Sequence, residues 1–265
     1  VSTRPALEAA RAEGRAALVG YLPAGYPDVA GGIEALRVMV DSGCDVIEVG
    51  LPYSDPVMDG PTIQAAAQQA LDGGVRIADV LRTVEATART GAPTLVMTYW
   101  NPVERYGVDR FAADLAAAGG AGLITPDLTP DSGAGWIPAA DAHGLDKVFL
   151  VAPSSTDARI AMTTAQCRGF VYATAVMGVT GARESSSDLA APLVARVREA
   201  TDLPVGVGLG VSTGDQAAEV AGYADAVIVG SAFVRVLLDH AHDRAAGLRA
   251  LADLTADLAD GVRRG

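Results

Sequence analysis

Half of the 265 residues are hydrophobic, and 30 Gly and 14 Pro are scattered between the apolar runs, so the chain carries enough apolar surface for a sizeable core and disorder is excluded. The formal net charge of −12, with 19 Arg and the lone Lys147, excludes a basic nucleic-acid surface but not a small anionic substrate, which backbone N–H groups can hold. The two cysteines, Cys44 and Cys167, have no C-x-x-C spacing and read as buried thiols; no stretch is long enough to span a bilayer, so a cytoplasmic protein without membrane or metal is expected.

A helix over 5–13 precedes the repeating pattern and reads as a plug for the bottom of a barrel. A strand over 17–22 and a helix over 29–41, with Ile33, Leu36 and Val40 on one stripe, open the alternation. After a strand over 45–49 comes a long loop, Pro52-Tyr-Ser-Asp55-Pro-Val-Met-Asp59-Gly-Pro61, with a helix starting at Thr62 and another over 77–90. Strands over 94–98, 122–124, 147–151 and 170–173 then alternate with helices over 111–118, 135–143 and 157–167. A small-residue-rich segment, 177–187, reads as a lid and leads into a helix over 188–200. The pattern closes with a strand over 204–207, a helix over 213–221 capped by Ser212 or Thr213, a strand over 226–229 and a helix over 244–262. The strand runs are apolar almost throughout, as parallel strands covered on both faces are.

Eight strands, each followed by a helix, predict the α/β class: a single (β/α)8 TIM barrel over 1–265, with an extra N-terminal helix and a short phosphate-binding helix after strand 8. An open doubly wound sheet would want G-x-G-x-x-G after its first strand, where this chain has Pro23-Ala-Gly-Tyr-Pro27. The glycines of Gly206-Val-Gly208-Leu-Gly210-Val-Ser212 and of Val229-Gly230-Ser231-Ala232 fall at the ends of the seventh and eighth strands. Barrels often bind phosphate there, and Gly230-Ser231 would aim a helix N-terminus at it.

Active sites of this fold lie at the C-terminal strand ends. None of His143, His240 and His242 is placed there, and Lys147 and both cysteines fall at the opposite face. A Schiff base on this chain therefore has no lysine to use. Among the carboxylates, Glu48 is the ionisable group well inside an apolar strand, a position that raises the pKa of an acid unless it is paired with an arginine or wetted at an edge. Asp59 reads either as a helix cap or as a second carboxylate near Glu48, and Tyr172 as a core tyrosine whose hydroxyl could reach the same cavity.

Glu48 in I-E-V-G, the loop P-Y-S-D-P-V-M-D-G-P-T-I-Q (52–64), G-V-T-G-A-R (178–183), G-L-G-V-S and V-G-S-A together closely resemble the tryptophan synthase alpha chain family, in unbroken order from about Gly14 to the last helix. The resemblance implies retro-aldol cleavage of indole-3-glycerol phosphate to indole and glyceraldehyde 3-phosphate. It implies Glu48 as the main acid/base and Asp59 as the carboxylate that receives the indole N–H. It also implies phosphate contacts at Gly181, Gly210, Gly230 and Ser231, and Tyr172 near the glycerol. Apolar indole walls are expected at Tyr21, Ile63, Leu123 and Leu209, with Thr180 near Asp59. The implied partner is a beta chain that holds pyridoxal phosphate and receives the indole, in an assembly of two alpha and two beta chains; no cofactor is expected in this chain. A stand-alone lyase, or a weakly catalytic barrel kept as an allosteric partner, would differ at the docking surface around 52–55 and Asn101-Pro102, or in rate alone.

Overall fold

In the computed structural model, which describes residues 1–133, 135–174 and 186–265, nine strands form one parallel sheet. They are β1 (Ala17–Pro23), β2 (Val46–Gly50), β3 (Thr94–Met97), β4 (Gly122–Ile124), β5 (Asp146–Val148), β6 (Leu150–Val151), β7 (Val171–Thr174), β8 (Val205–Gly208) and β9 (Ala226–Val229). Their order is β5-β4-β3-β2-β1-β9-β8-β7-β6. The two ends of that order, β5 and β6, are halves of one strand interrupted at Phe149. The Phe149 carbonyl still accepts from Tyr172 N–H at 3.2 Å, so the sheet closes through the continuous chain into an eight-stranded barrel.

The helices are α1 (Arg4–Ala12), α2 (Val29–Asp41), α3 (Pro61–Asp72), α4 (Ile77–Ala88), α5 (Trp100–Tyr106), α6 (Val108–Ala117), α7 (Trp136–His143), α8 (Asp157–Gln166), α9 (Ser186–Ala200), α10 (Gly214–Ala221), α11 (Ser231–Asp239) and α12 (Arg244–Gly261). Several starts are fixed by side-chain caps: Asp28 accepts from Gly31 N–H at 2.7 Å ahead of α2, and Thr213 accepts from Gln216 N–H at 3.3 Å ahead of α10. Helix α5 and the full extent of α3 go beyond the eight expected crossovers. Pro61 stands in the first turn of α3, and the alanines that follow include Ala66, Ala67 and Ala70 on its buried face.

Strand pleating sorts the apolar residues into two layers. Ala17, Val19, Val46, Leu95, Ile124, Val148, Phe170, Ala226 and Ile228 pack together inside the barrel with Leu7 and Ala10 of α1, so this helix plugs the interior as expected. Leu18, Ile47, Val49, Val96, Leu123, Val171, Val207 and Val227 alternate with them and pack outward against the helices.

The plug is pinned by a charge. The fully buried Asp146 carboxylate accepts from Thr3 N–H and Thr3 Oγ1, both at 2.7 Å, and from Ser2 Oγ at 2.8 Å. Gly169 lets this carboxylate approach, because a Cβ there would sit 2.5 Å from Asp146 Oδ2. Removing the acceptor strands these donors, so Asp146→Ala should destabilise the fold by about 2–4 kcal/mol. Denaturant unfolding measures this, with the largest gain in amide exchange expected along α1; an unchanged midpoint would contradict the pinning.

Candidate active site

Glu48 is the third residue of β2 and lies in register with Tyr21 of β1 on one side and Leu95 of β3 on the other. In-register residues of parallel strands share a face, so Glu48 belongs to the interior layer. It is 1 % exposed, and its Oε1 has no hydrogen-bond partner among the described residues. Among the described residues no arginine pairs with it, and its burial leaves no solvated edge. Burial alone lifts its carboxyl from 4.5 to about 8.

Two tyrosines flank this acid. A Cβ on Gly50 would lie 2.3 Å from the Tyr21 hydroxyl oxygen, and a Cβ on Gly208 would lie 2.4 Å from that of Tyr172. Each ring thus rests on a glycine of the next strand, at the C-terminal end of the barrel. Burial raises both phenols, and both feel Glu48; Tyr21 feels Asp59 more strongly still. Tyr21 therefore brings a hydroxyl to a position where the sequence suggested an apolar wall.

Asp59 is half-buried on the loop between β2 and α3. Burial raises its carboxyl, and a hydrogen bond from the Tyr99 side chain opposes that rise. The same Tyr99 hydroxyl accepts from Met58 N–H at 2.9 Å, and Gln64 Nε2 donates to the Asp59 carbonyl at 2.7 Å. Asp59 is not the N-cap of α3, a position held by Gly60. Tyr99 stacks at 5.5 Å on Tyr53, whose hydroxyl accepts from Asn101 Nδ2 at 3.0 Å, so the loops after β2 and β3 are knitted together. Sequence reasoning passed over Tyr99; its signal was an aromatic hydroxyl just beyond the end of a predicted strand.

The glycine motifs lie where barrel phosphate sites occur. Gly210, just past β8, has φ +83°, and no heavy atom lies within 4 Å of where its Cβ would be. Gly230 is the N-cap residue of α11, the short helix expected after the eighth barrel strand, and Ser231 is its exposed first residue. A Cβ on Gly230 would lie 3.3 Å from the Tyr21 ring, so the start of α11 adjoins the tyrosine that flanks Glu48.

Ile63 and Leu209 are partly buried at the rim. Leu123 is a correction: it is 0 % exposed and packs outward against the helices, because β4 turns its successor Ile124 inward. The apolar interior near Tyr172 includes Met97 and Leu150, which sequence reasoning missed. Thr180 and Gly181, with Val176, Met177 and the rest of the G-V-T-G-A-R stretch, lie outside the described residues. Lys147 is buried at the start of the fifth barrel strand and paired with Asp141, away from this corner. Among the described residues no cluster of His, Cys, Asp and Glu could hold a metal, and no helix is long and apolar enough to cross a membrane.

The family model described as tryptophan synthase alpha chain matches residues 7–263. The chain belongs to this family. A tryptophan synthase alpha chain of Acidothermus cellulolyticus is 66 % identical over 98 % of this chain and 96 % of its own length, and one of Mycobacterium marinum is 60 % identical over 98 % and 94 %. The open form of tryptophan synthase from M. tuberculosis superposes with a TM-score of 0.91 at 55 % identity, covering all of both chains. As a tryptophan synthase alpha chain, this protein is a carbon–carbon lyase of tryptophan biosynthesis, and the pyridoxal phosphate of that synthase belongs to the beta chain.

The unpaired burial of Glu48 has a consequence for stability. The unfolded chain releases this proton near 4.5 and the folded chain keeps it to about 8, so between these values folding takes up a proton and stability falls as pH rises. Glu48→Gln carries no such penalty. Its melting temperature relative to the unsubstituted chain should climb steadily from pH 5 to pH 8, whereas a pH-independent difference would show that Glu48 titrates normally.

Proposed function

We propose that Glu48 and Asp59 divide the retro-aldol cleavage of indole-3-glycerol phosphate between them, with the phosphate held at Gly210, Gly230 and Ser231. The observation that carries this reading is a carboxyl whose Oε1 has no partner among the described residues, pushed to about 8 by burial, with a second carboxylate, Asp59, acting on the same buried Tyr21. Near neutrality Glu48 is largely protonated and can give its proton to the indole C3 carbon. The electron pair for the new C–H bond comes from the indole ring, leaving positive charge at its nitrogen. Asp59, ionised, accepts the hydrogen bond of that N–H and stabilises the charge. Glu48, now a carboxylate, takes the proton of the glycerol hydroxyl next to the scissile bond. The carbon–carbon bond then breaks, its electrons return to the ring, and indole and glyceraldehyde 3-phosphate leave. The proton removed equals the proton added, so Glu48 ends as it began.

The remaining roles follow from position. Tyr172 lies against Gly208 close to Glu48 and suits contact with the glycerol chain. Tyr21, Ile63 and Leu209, with Met97 and Leu150, would bound the indole, while Thr180 and Gly181 are assigned to the lid and the phosphate on the motif alone. The partner in this reading is a beta chain in an assembly of two alpha and two beta chains, docked around 52–55 and Asn101-Pro102. Val57, 77 % exposed, and Met58 give that face apolar surface. The compartment we assign is the cytoplasm, where the free thiols Cys44 and Cys167 stay reduced.

The test is turnover of indole-3-glycerol phosphate by the purified chain, with and without a beta chain. Glu48→Gln should lower kcat by about 10²–10⁴-fold with the fold intact. For the unsubstituted chain, kcat/KM should fall as pH rises through about 8, where Glu48 loses the proton it must donate. It should also fall in acid, as Asp59 is protonated, at a pH above the ordinary aspartate range. No indole with or without the beta chain contradicts the lyase reading; full activity alone without stimulation favours a stand-alone enzyme, and trace activity alone favours a mainly allosteric barrel.

A further inference from the structure

Arg235 lies on α11 one turn beyond Ser231, and its guanidinium donates to the hydroxyl of Thr62, 173 residues away in sequence. Residues four apart share a helix face, so Arg235 and Ser231 lie on the same side of α11. Thr62 is the second residue of α3 and 8 % exposed, and α3 and α11 pack directly on each other. Only Gly60 and Pro61 separate Thr62 from Asp59. The proline fixes one backbone angle of this short link, and the Gln64 side chain clamps the Asp59 carbonyl from the first turns of the same helix. A displacement at Thr62 therefore reaches Asp59 with little slack.

We propose that Arg235 is a positioning residue: through Thr62 it couples the helix at whose N-terminus the phosphate is held to the loop that carries Asp59, so that seating the phosphate fixes this carboxylate. The inference rests on the assignment of the phosphate to Gly230 and Ser231 and of Asp59 to the indole N–H. The geometry gives Arg235 a role distinct from attraction of the anion. Its Nη2 donates to a neutral hydroxyl, and that hydroxyl sits on the Asp59 side of the site. Tyr99 grips the Asp59 loop from the β3 end by accepting from Met58 N–H, and the Arg235–Thr62 bond reaches it from the β9 end.

Two substitutions separate the coupling from charge. Arg235→Met removes donor and charge but keeps the stem, whereas Thr62→Val removes the acceptor and leaves the charge. Each should lower kcat on indole-3-glycerol phosphate by about tenfold, as a small misplacement of a reacting group does, with KM changed less than about twofold. Arg235→Lys should restore most of the loss, and the double variant should be no slower than either single one. A normal kcat in Thr62→Val, additive losses, or an effect confined to KM would overturn the coupling. Amide exchange with inorganic phosphate gives a readout independent of turnover. In the unsubstituted chain phosphate should protect both the first turn of α11 and residues 57–60; in either variant it should protect α11 alone. Loop protection that survives in both variants overturns the coupling, while no protection at α11 in the unsubstituted chain overturns the phosphate assignment on which it rests.

Discussion

A carboxyl group buried in the third position of β2, without a partner for Oε1 among the described residues, is the constraint around which this end of the barrel is organised. Hydrogen-bond compensation would hold such an acid near its ordinary pKa, and an arginine would pull it lower. Among the described residues Oε1 has no hydrogen-bond partner and no arginine pairs with the acid, and burial pushes its pKa up to about 8. The barrel tolerates this because the strand around it is otherwise apolar and fully buried, with Val46, Ile47 and Val49 anchoring β2 in both layers. Stability is thus conceded at one residue and recovered across the sheet, a pattern common to acids that must hold a proton near neutrality.

Glycines shape the space around that acid. Gly50 and Gly208 allow the Tyr21 and Tyr172 rings to lie across neighbouring strands, and Gly230 lets Tyr21 stand close to the start of α11. A side chain at either strand glycine would displace a hydroxyl from the cavity. The site therefore depends as much on missing Cβ atoms as on the polar groups they admit. Asp59 obeys a different rule. It lies on a loop rather than a strand, and its place comes from Tyr99, Gln64 and the start of α3.

The alternation of strands and helices, the N-terminal plug, the short helix α11 and the anomaly of Glu48 were all legible in the sequence, because each leaves a local signal: periodicity, a Gly-Ser step after a strand, or a charge in an apolar run. Leu123 was misplaced because both faces of a parallel barrel strand are apolar, so composition does not say which residue of a three-residue strand points inward. Ile124 differs from Leu123 only in parity. Tyr99 was missed since its partners, Met58 and Asp59, are remote in sequence and meet it only when the β2 and β3 loops converge. The interruption at Phe149 and the Thr3–Asp146 pin are likewise products of closure, which no local pattern encodes.

The most direct measurement is a titration of the Glu48 carboxyl in the folded chain, by the infrared C=O stretch of the protonated acid in a difference spectrum against Glu48→Gln. The band should persist through neutrality and vanish with a midpoint near pH 8. A midpoint in the ordinary glutamate range, near 4.5, would mean that the carboxyl is compensated in solution, and the division of labour between the two acids would fall with it.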